Sequence, residues 1–317
     1  MIVSRAFIVL ARREFFESIK SKQTLFLLGA YVALAIVYGV GAYINYTTAF
    51  QPLPGGIKSI TFDGSTIEPN EWLLGNVDLV STLGALFAVA FSFGSISSER
   101  VTKSFFLLSS YPVKQVSIIG GKILAISLVF IPVGALLPMT SVALSFASLG
   151  HLNGDMLLRV AALGGMNALY LLFWISFGVL ISSVTSRPGN SLAICAMVWL
   201  ALQERFLGFG VSLVVQALLW PGVPLSSVPQ STLSSILSSV GSTIPPYHFL
   251  HAVYGSYNSA GLMTSTNPLS GSLYILGQSN NFAEWFAFAL PDVLVLAGSI
   301  LFLILLASAL LSRSGKS

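Results

Sequence analysis

FAFALPDVLVLAGSILFLILLASALL, residues Phe286 to Leu311, contains one charged side chain, Asp292, near its start. A helix crossing the ~30 Å hydrocarbon core of a bilayer needs about 20 apolar residues, and this run exceeds that length. Five more runs meet or approach it with no charge at their centres: Leu25 to Ile44, Leu79 to Ser97, Ile123 to Ala147, Val160 to Val184 and Asn190 to Leu202. The pattern predicts an all-α membrane protein with six transmembrane helices, a single transmembrane domain over residues 1–317. The fifth run continues past Glu204 and Arg205 to Trp220. Burying both charges at the bilayer centre costs on the order of 5 kcal/mol, so the pair belongs at the outer interface. Phe206 to Trp220 is then short for a span and reads as a re-entrant or interfacial helix.

Composition agrees. Of 317 residues, 55% are hydrophobic and 8% charged, far from the roughly 25% charged residues of soluble domains. Too few charges remain to solvate a globule of this size, which excludes a soluble domain, a nucleic-acid binder and a disordered chain together. The net charge of +4 is therefore a matter of topology. With the N-terminus in the cytoplasm, Arg5, Arg12, Arg13, Lys20, Lys22, Arg100, Lys103, Lys114, Lys122, Arg187, Arg313 and Lys316 lie inside, and only Lys58, Arg159 and Arg205 outside. That asymmetry predicts a multi-pass protein of the cell membrane with both termini cytoplasmic. Met1 to Lys22 is too long and too charged for the start of a cleaved signal peptide. The lone Cys195 sits in an apolar run and reads as a small hydrophobe.

Residues 1–23 read as an interfacial amphipathic helix, with Ile8, Ala11, Phe15 and Ile19 on one face and Arg13, Glu14, Glu17 and Lys20 opposite. The topology leaves two external regions, residues 46–78 and 206–284. The first carries Pro52, Pro54, Gly55, Gly56 and acids, with Trp72 placed to anchor its return to the membrane. From Phe206 to Ala283 there is no Asp, Glu, Lys or Arg, while apolar pieces recur among Ser, Thr, Gly and Pro. This predicts an extracellular helical segment before the last span. Apart from His248 and His251 its charge cannot follow pH, which points to an acidic exterior.

The loop between the second and third spans, residues 98–115, reads as a short helix between two breaks. Glu99 stands near its start, Phe105, Phe106 and Leu108 offer an apolar surface, and Pro112 ends it. Exposed aromatics there point to a protein docking site.

Here the chain resembles the permease subunits of the type-2 ABC exporter family. Those proteins have an N-terminal interfacial helix, six spans, and a series of Glu, Leu-Leu-Ser, Pro and Gly-Lys in this loop. Glu99, Leu107-Leu108-Ser109, Pro112 and Gly121-Lys122 supply it in order. Two positions depart, Lys103 where the family often has Gly and Gln115 where it has a second basic residue. The resemblance implies a coupling helix at about Arg100 to Ser110 and docking of an ABC ATPase subunit at Glu99, Arg100, Lys103, Phe105, Phe106, Leu108, Pro112 and Lys114. It also implies a second permease copy, as homodimer or heterodimer. ATP and Mg would sit on the partner ATPase, with no cofactor on this chain. Ser314-Gly315-Lys316-Ser317 is not a phosphate-binding loop, because Leu310 stands where the first Gly belongs.

Polar uncharged residues Ser92, Ser95, Thr140, Ser141, Asn167, Tyr170 and Ser176 form a candidate substrate path for a neutral or amphipathic compound. Helix packing explains small hydroxylated residues equally well. His248 and His251, one turn apart, read as interfacial packing rather than a metal site, and Asp292 as a helix cap. Catalytic and metal-binding residues are not expected. Ion coupling usually needs ionisable groups within the spans, intramembrane proteolysis Ser with His or paired Asp at membrane depth, and haem ligation a His inside a span; the six span centres hold no ionisable group. A non-catalytic anchor of a larger membrane complex is the alternative reading.

Overall fold

A computed structural model describes residues 2–49, 60–62, 65–67, 77–104, 114–149, 154–218, 230–255, 276 and 282–314. The chain is an all-α membrane protein. Its elements are α1 (Ile2–Lys20), α2 (Lys22–Ala49), a short antiparallel hairpin of β1 (Ile60–Phe62) and β2 (Ser65–Ile67), then α3 (Val77–Leu79), a π-helical turn (Val80–Gly84), α4 (Ala85–Ser92) and α5 (Ser97–Val101). After these come α6 (Gln115–Leu149), α7 (Gly154–Val184), α8 (Pro188–Ala201), α9 (Glu204–Leu218), α10 (Gln230–Gly241), α11 (Pro245–Tyr254) and α12 (Phe282–Ser314).

Among the described residues, Val80–Val101, Gln115–Pro132, Leu157–Val184 and Phe282–Ser312 are long and apolar enough to cross a membrane. Pro188–Ala201 and Phe206–Gln216 make a fifth span if the pair, bent by 70°, counts as one. The bend falls at the Glu204 and Arg205 charges: α8 stops at Ala201 and a new helix starts at Glu204. The predicted first span lies within α2, a continuous helix of 28 residues.

Helix α7 is the centre of the bundle, packed on α6, α12, α4 and α8. Its Trp174 is fully buried, edge-on to Tyr170, Phe173 and Phe177. Tyr31 of α2 reaches into the same core, its ring 5.2 Å from that of Phe130 on α6. Where α4 meets α7 the backbones come very close. A Cβ on Gly178 would stand 2.0 Å from Ser92 Oγ, so glycine is required for the approach.

Helix α1 lies on α6. The side of α1 that packs on the bundle is a second apolar stripe, beside the one carrying Ile8 and Ile19. Phe7, Leu10, Ala11 and Glu14 turn toward α6, while Ile8, Val9, Phe16 and Ile19 are exposed. Glycine again explains the fit, since a Cβ on Gly120 would meet Phe7 at 3.1 Å and one on Gly121 would meet Leu10 at 3.2 Å. The helix therefore has three sides: one for the bundle, one apolar and bare, and one polar with Arg13, Glu17 and Lys20. That is the form of an interfacial helix that is also docked on its own protein.

A candidate coupling site

Gly120-Gly121-Lys122 places an ammonium one step beyond the close contact with α1. Lys122 is 1% exposed, yet its Nζ donates to Glu14 Oε1 at 2.9 Å and to Glu99 Oε1 at 2.6 Å. Three elements, α1, α5 and α6, thus converge on one cation, 108 and 23 residues away in sequence from its partners. A lysine buried this deeply needs such partners, because an unpaired ammonium would lose several kcal/mol of hydration. The converse holds for the carboxylates, whose side chains are only 18% and 24% exposed. Close by on the polar face, Arg13 Nε donates to Glu17 at 2.7 Å, and that bond raises the guanidinium pKa above its ordinary value.

Helix α5 is held to α7 rather than simply continuing α4. Between them, residues 93–96 form turns and the helix loses its regular bonding. Ser182 Oγ on α7 accepts the freed amides of Ile96 and Ser97 at 2.9 and 3.0 Å and donates to Ser97 Oγ at 3.2 Å. Arg100 Nη1 adds a bond to the Thr185 carbonyl at 3.3 Å. A serine spaced 85 residues away thus does the work of an N-cap for α5.

The chain then turns sharply at Lys103, whose φ is 62°. Helix α5 ends at Val101 and the left-handed Lys103 follows it; residues 105–110 of the expected coupling helix lie outside the described residues. A left-handed φ costs glycine nothing and other residues about 1 kcal/mol or more. Thr102 and Ser104 close the turn through hydroxyl bonds to the Glu99 carbonyl at 3.2 and 3.4 Å. Lys114 is exposed just before α6. Phe105, Phe106, Leu108 and Pro112 lie outside the described residues.

The candidate path residues occupy several settings. Ser92 packs on Gly178 and donates to the Ala88 carbonyl at 2.8 Å. Tyr170 OH donates to the Ser81 carbonyl at 2.7 Å. Asn167 is 1% exposed with both amide atoms unbonded, and the hydroxyls of Ser95 and Ser176 are likewise buried without partners. The side chains of Thr140 and Ser141 lie outside those described. Sequence reasoning missed the π-turn Val80–Gly84 beside them. Two of its carbonyls also accept bonds from two other helices, Ser81 from Tyr170 and Thr82 from Trp199 Nε1 at 3.1 Å. Nothing in VSTLG distinguishes that turn from ordinary helix.

At the opposite end of the bundle Arg159 is 2% exposed, bonded through Nε to Asp155 at 2.6 Å and through Nη1 to the Leu276 carbonyl at 2.7 Å. Beside it α11 packs on α12, with Trp285 Nε1 donating to the Ala252 carbonyl at 2.7 Å. Asp292 is not a helix cap. It lies inside α12, its carboxylate held by His248 Nδ1 at 2.6 Å and His251 Nδ1 at 2.8 Å, and His248 Nε2 is 3.2 Å from the Ser242 carbonyl. His151, the third histidine, lies outside the described residues.

No curated protein matches the chain. The family model of the ABC-2 family transporter proteins matches residues 8–313, from the second turn of α1 to the last turn of α12. With a bundle of apolar helices and that match along nearly all of its length, the chain belongs to the ABC-2 transporter family, as a membrane permease of an ABC transporter.

Proposed function

We propose that this permease is the membrane half of an ATP-driven exporter, working as a homodimer or heterodimer with separate ATPase subunits that hold ATP and Mg. In this reading the chain crosses the membrane six times with both termini in the cytoplasm, and residues 46–78 and 206–284 face outward. The ATPase docks on residues 98–115 through Glu99, Arg100, Lys103, Phe105, Phe106, Leu108, Pro112 and Lys114. The substrate is neutral or amphipathic, because the candidate path residues carry no charge.

The observation that carries the proposal is the Lys122 clasp. A docking segment moves helices only if it is fastened to them, and Glu99 is fastened to a buried lysine of α6 that also holds α1. The Ser182 and Arg100 bonds fasten the same segment to α7. A displacement at α5 is thereby shared by three helices.

The test is gentle purification from the native membrane, identification of co-purifying chains and an assay of ATP hydrolysis. A stoichiometric ABC ATPase with vanadate-sensitive turnover is expected, and Phe105→Asp or deletion of residues 104–108 abolishes its recruitment without loss of membrane insertion. Unchanged recruitment by both variants removes the docking surface. Redox or biosynthetic partners with no ATPase would make the chain an anchoring subunit instead.

A further inference from the structure

We infer that His248, His251 and Asp292 form a proton-dependent clasp that fastens α11 to α12 only while His248 and Asp292 together hold one proton more than a neutral imidazole and a carboxylate. Donors and acceptors set that count. A backbone carbonyl only accepts, so His248 Nε2, 3.2 Å from the Ser242 oxygen, carries a proton. Its Nδ1 lies 2.6 Å from Asp292 Oδ1, a distance that requires a second proton between the two atoms. Whether that proton sits on the ring or on the carboxyl, the count is the same. Removing it leaves a nitrogen lone pair against an oxygen at 2.6 Å, or, after a tautomer change, one against the Ser242 carbonyl. His251 is different, because its bond from Nδ1 to Asp292 Oδ2 at 2.8 Å is made by the neutral and the protonated ring alike, so it does not enter the count.

Burial makes the extra proton matter. The Asp292 side chain is 3% exposed and that of His248 10%, so water does not replace a lost bond while the helices stay packed. The Ser242 carbonyl comes just after the end of α10, so the same histidine ties α10, α11 and α12 together. The elements packed on α11 are α12, α7 and α10. From α12 they bring Asp292 and, two turns before it, Glu284, and from α7 they bring Asp155 and Arg159, which bond each other. α10 brings no ionisable side chain, and α11 itself adds Tyr247 and Tyr254.

The proton count fixes the direction of the pH response. An exposed histidine is half protonated near pH 6.5 and an exposed aspartate near 3.9. Between those values, open and closed forms hold equal numbers of protons and the clasp is at its strongest. Above about pH 6.5 closure must take a proton from solvent, so the open fraction rises up to tenfold per pH unit. Below about pH 4 the released carboxylate gains a proton and opening is again favoured. The window is mildly acidic. It matches a segment, residues 206–283, that is otherwise free of Asp, Glu, Lys and Arg. The clasp works in this way whether or not an ATPase docks on residues 98–115.

The experiment uses the full chain in lipid nanodiscs with ¹⁵N-labelled histidine. At pH 7 one of the three histidines is expected to show both ring nitrogens protonated, or one ring nitrogen strongly bonded to a carboxyl proton, and to keep that signal in His151→Gln. Three ordinary neutral or mixed signals would overturn the clasp. Hydrogen exchange of residues 245–254, corrected for intrinsic rates, supplies a second measure. Protection is expected to be flat from about pH 4.5 to 6.5 and to fall toward tenfold per unit above. Asp292→Asn is expected to lower it and flatten the profile. A flat profile in the parent, or the same slope in Asp292→Asn, refutes the inference.

Discussion

Gly178→Ala tests how closely α4 and α7 are obliged to pack. The added methyl would lie 2.0 Å from Ser92 Oγ and 2.9 Å from Ser92 Cβ, both well inside contact distance. Rotating the serine away removes the first clash but gives up its 2.8 Å bond to the Ala88 carbonyl, and the second clash remains. The helices must therefore separate. Overpacking of this kind costs about 1–3 kcal/mol and the lost hydrogen bond about 1 kcal/mol, so the variant should be about 2–4 kcal/mol less stable. At roughly 2–4 °C per kcal/mol for a chain of this size class, purified protein should melt on the order of 10 °C lower. Adding Ser92→Gly should restore most of the loss, whereas Ser92→Ala, which keeps Cβ, should restore only part. A Gly178→Ala protein that melts with the parent, or a double variant no better than the single one, would refute the packing argument.

Lys122→Met leaves the Glu14 and Glu99 carboxylates confronting each other without their cation. It should cost about 3 kcal/mol in denaturant titrations, with recovery when both acids are also changed to Gln. Lys103→Gly relieves the left-handed residue and should stabilise the chain by up to about 1 kcal/mol, whereas Lys103→Val should destabilise it, both read as shifts in melting temperature. Tyr170→Phe removes the donor to the Ser81 carbonyl of the π-turn and should cost about 1–3 kcal/mol, detectable as faster hydrogen exchange in residues 80–85.

Much of this fold was legible because lipid imposes a simple rule on sequence. Apolar runs marked α4, α6, α7, α8 and α12, and the cost of burying Glu204 and Arg205 located the break between α8 and α9. The docking of helix α1 on α6 was not legible, for a physical reason: the helix has two apolar stripes, one for α6 and one bare, and hydrophobicity alone does not say which meets protein. Glu14 looked like part of a solvated face because its partner is 108 residues away. The same limit hid the meeting of Asp292 with His248, and of Ser182 with the amides of α5. Long-range pairing of buried polar groups leaves no periodic trace. Glu99 and Gly121-Lys122 stood out in the sequence only through a resemblance, and their meeting in the Lys122 clasp is visible only in the structure.

Helix α7 has 31 residues, about 46 Å at 1.5 Å per residue, and no proline within it. At one end Arg159 grips the Leu276 carbonyl, and at the other Ser182 and Thr185 grip α5. It is in effect a single connecting rod with a joint at each tip. One continuous helix thus connects the α5 joint to the Leu276 joint. The two ends of the bundle share one structural element, so a variant that loosens one joint should be tested for its effect at the other.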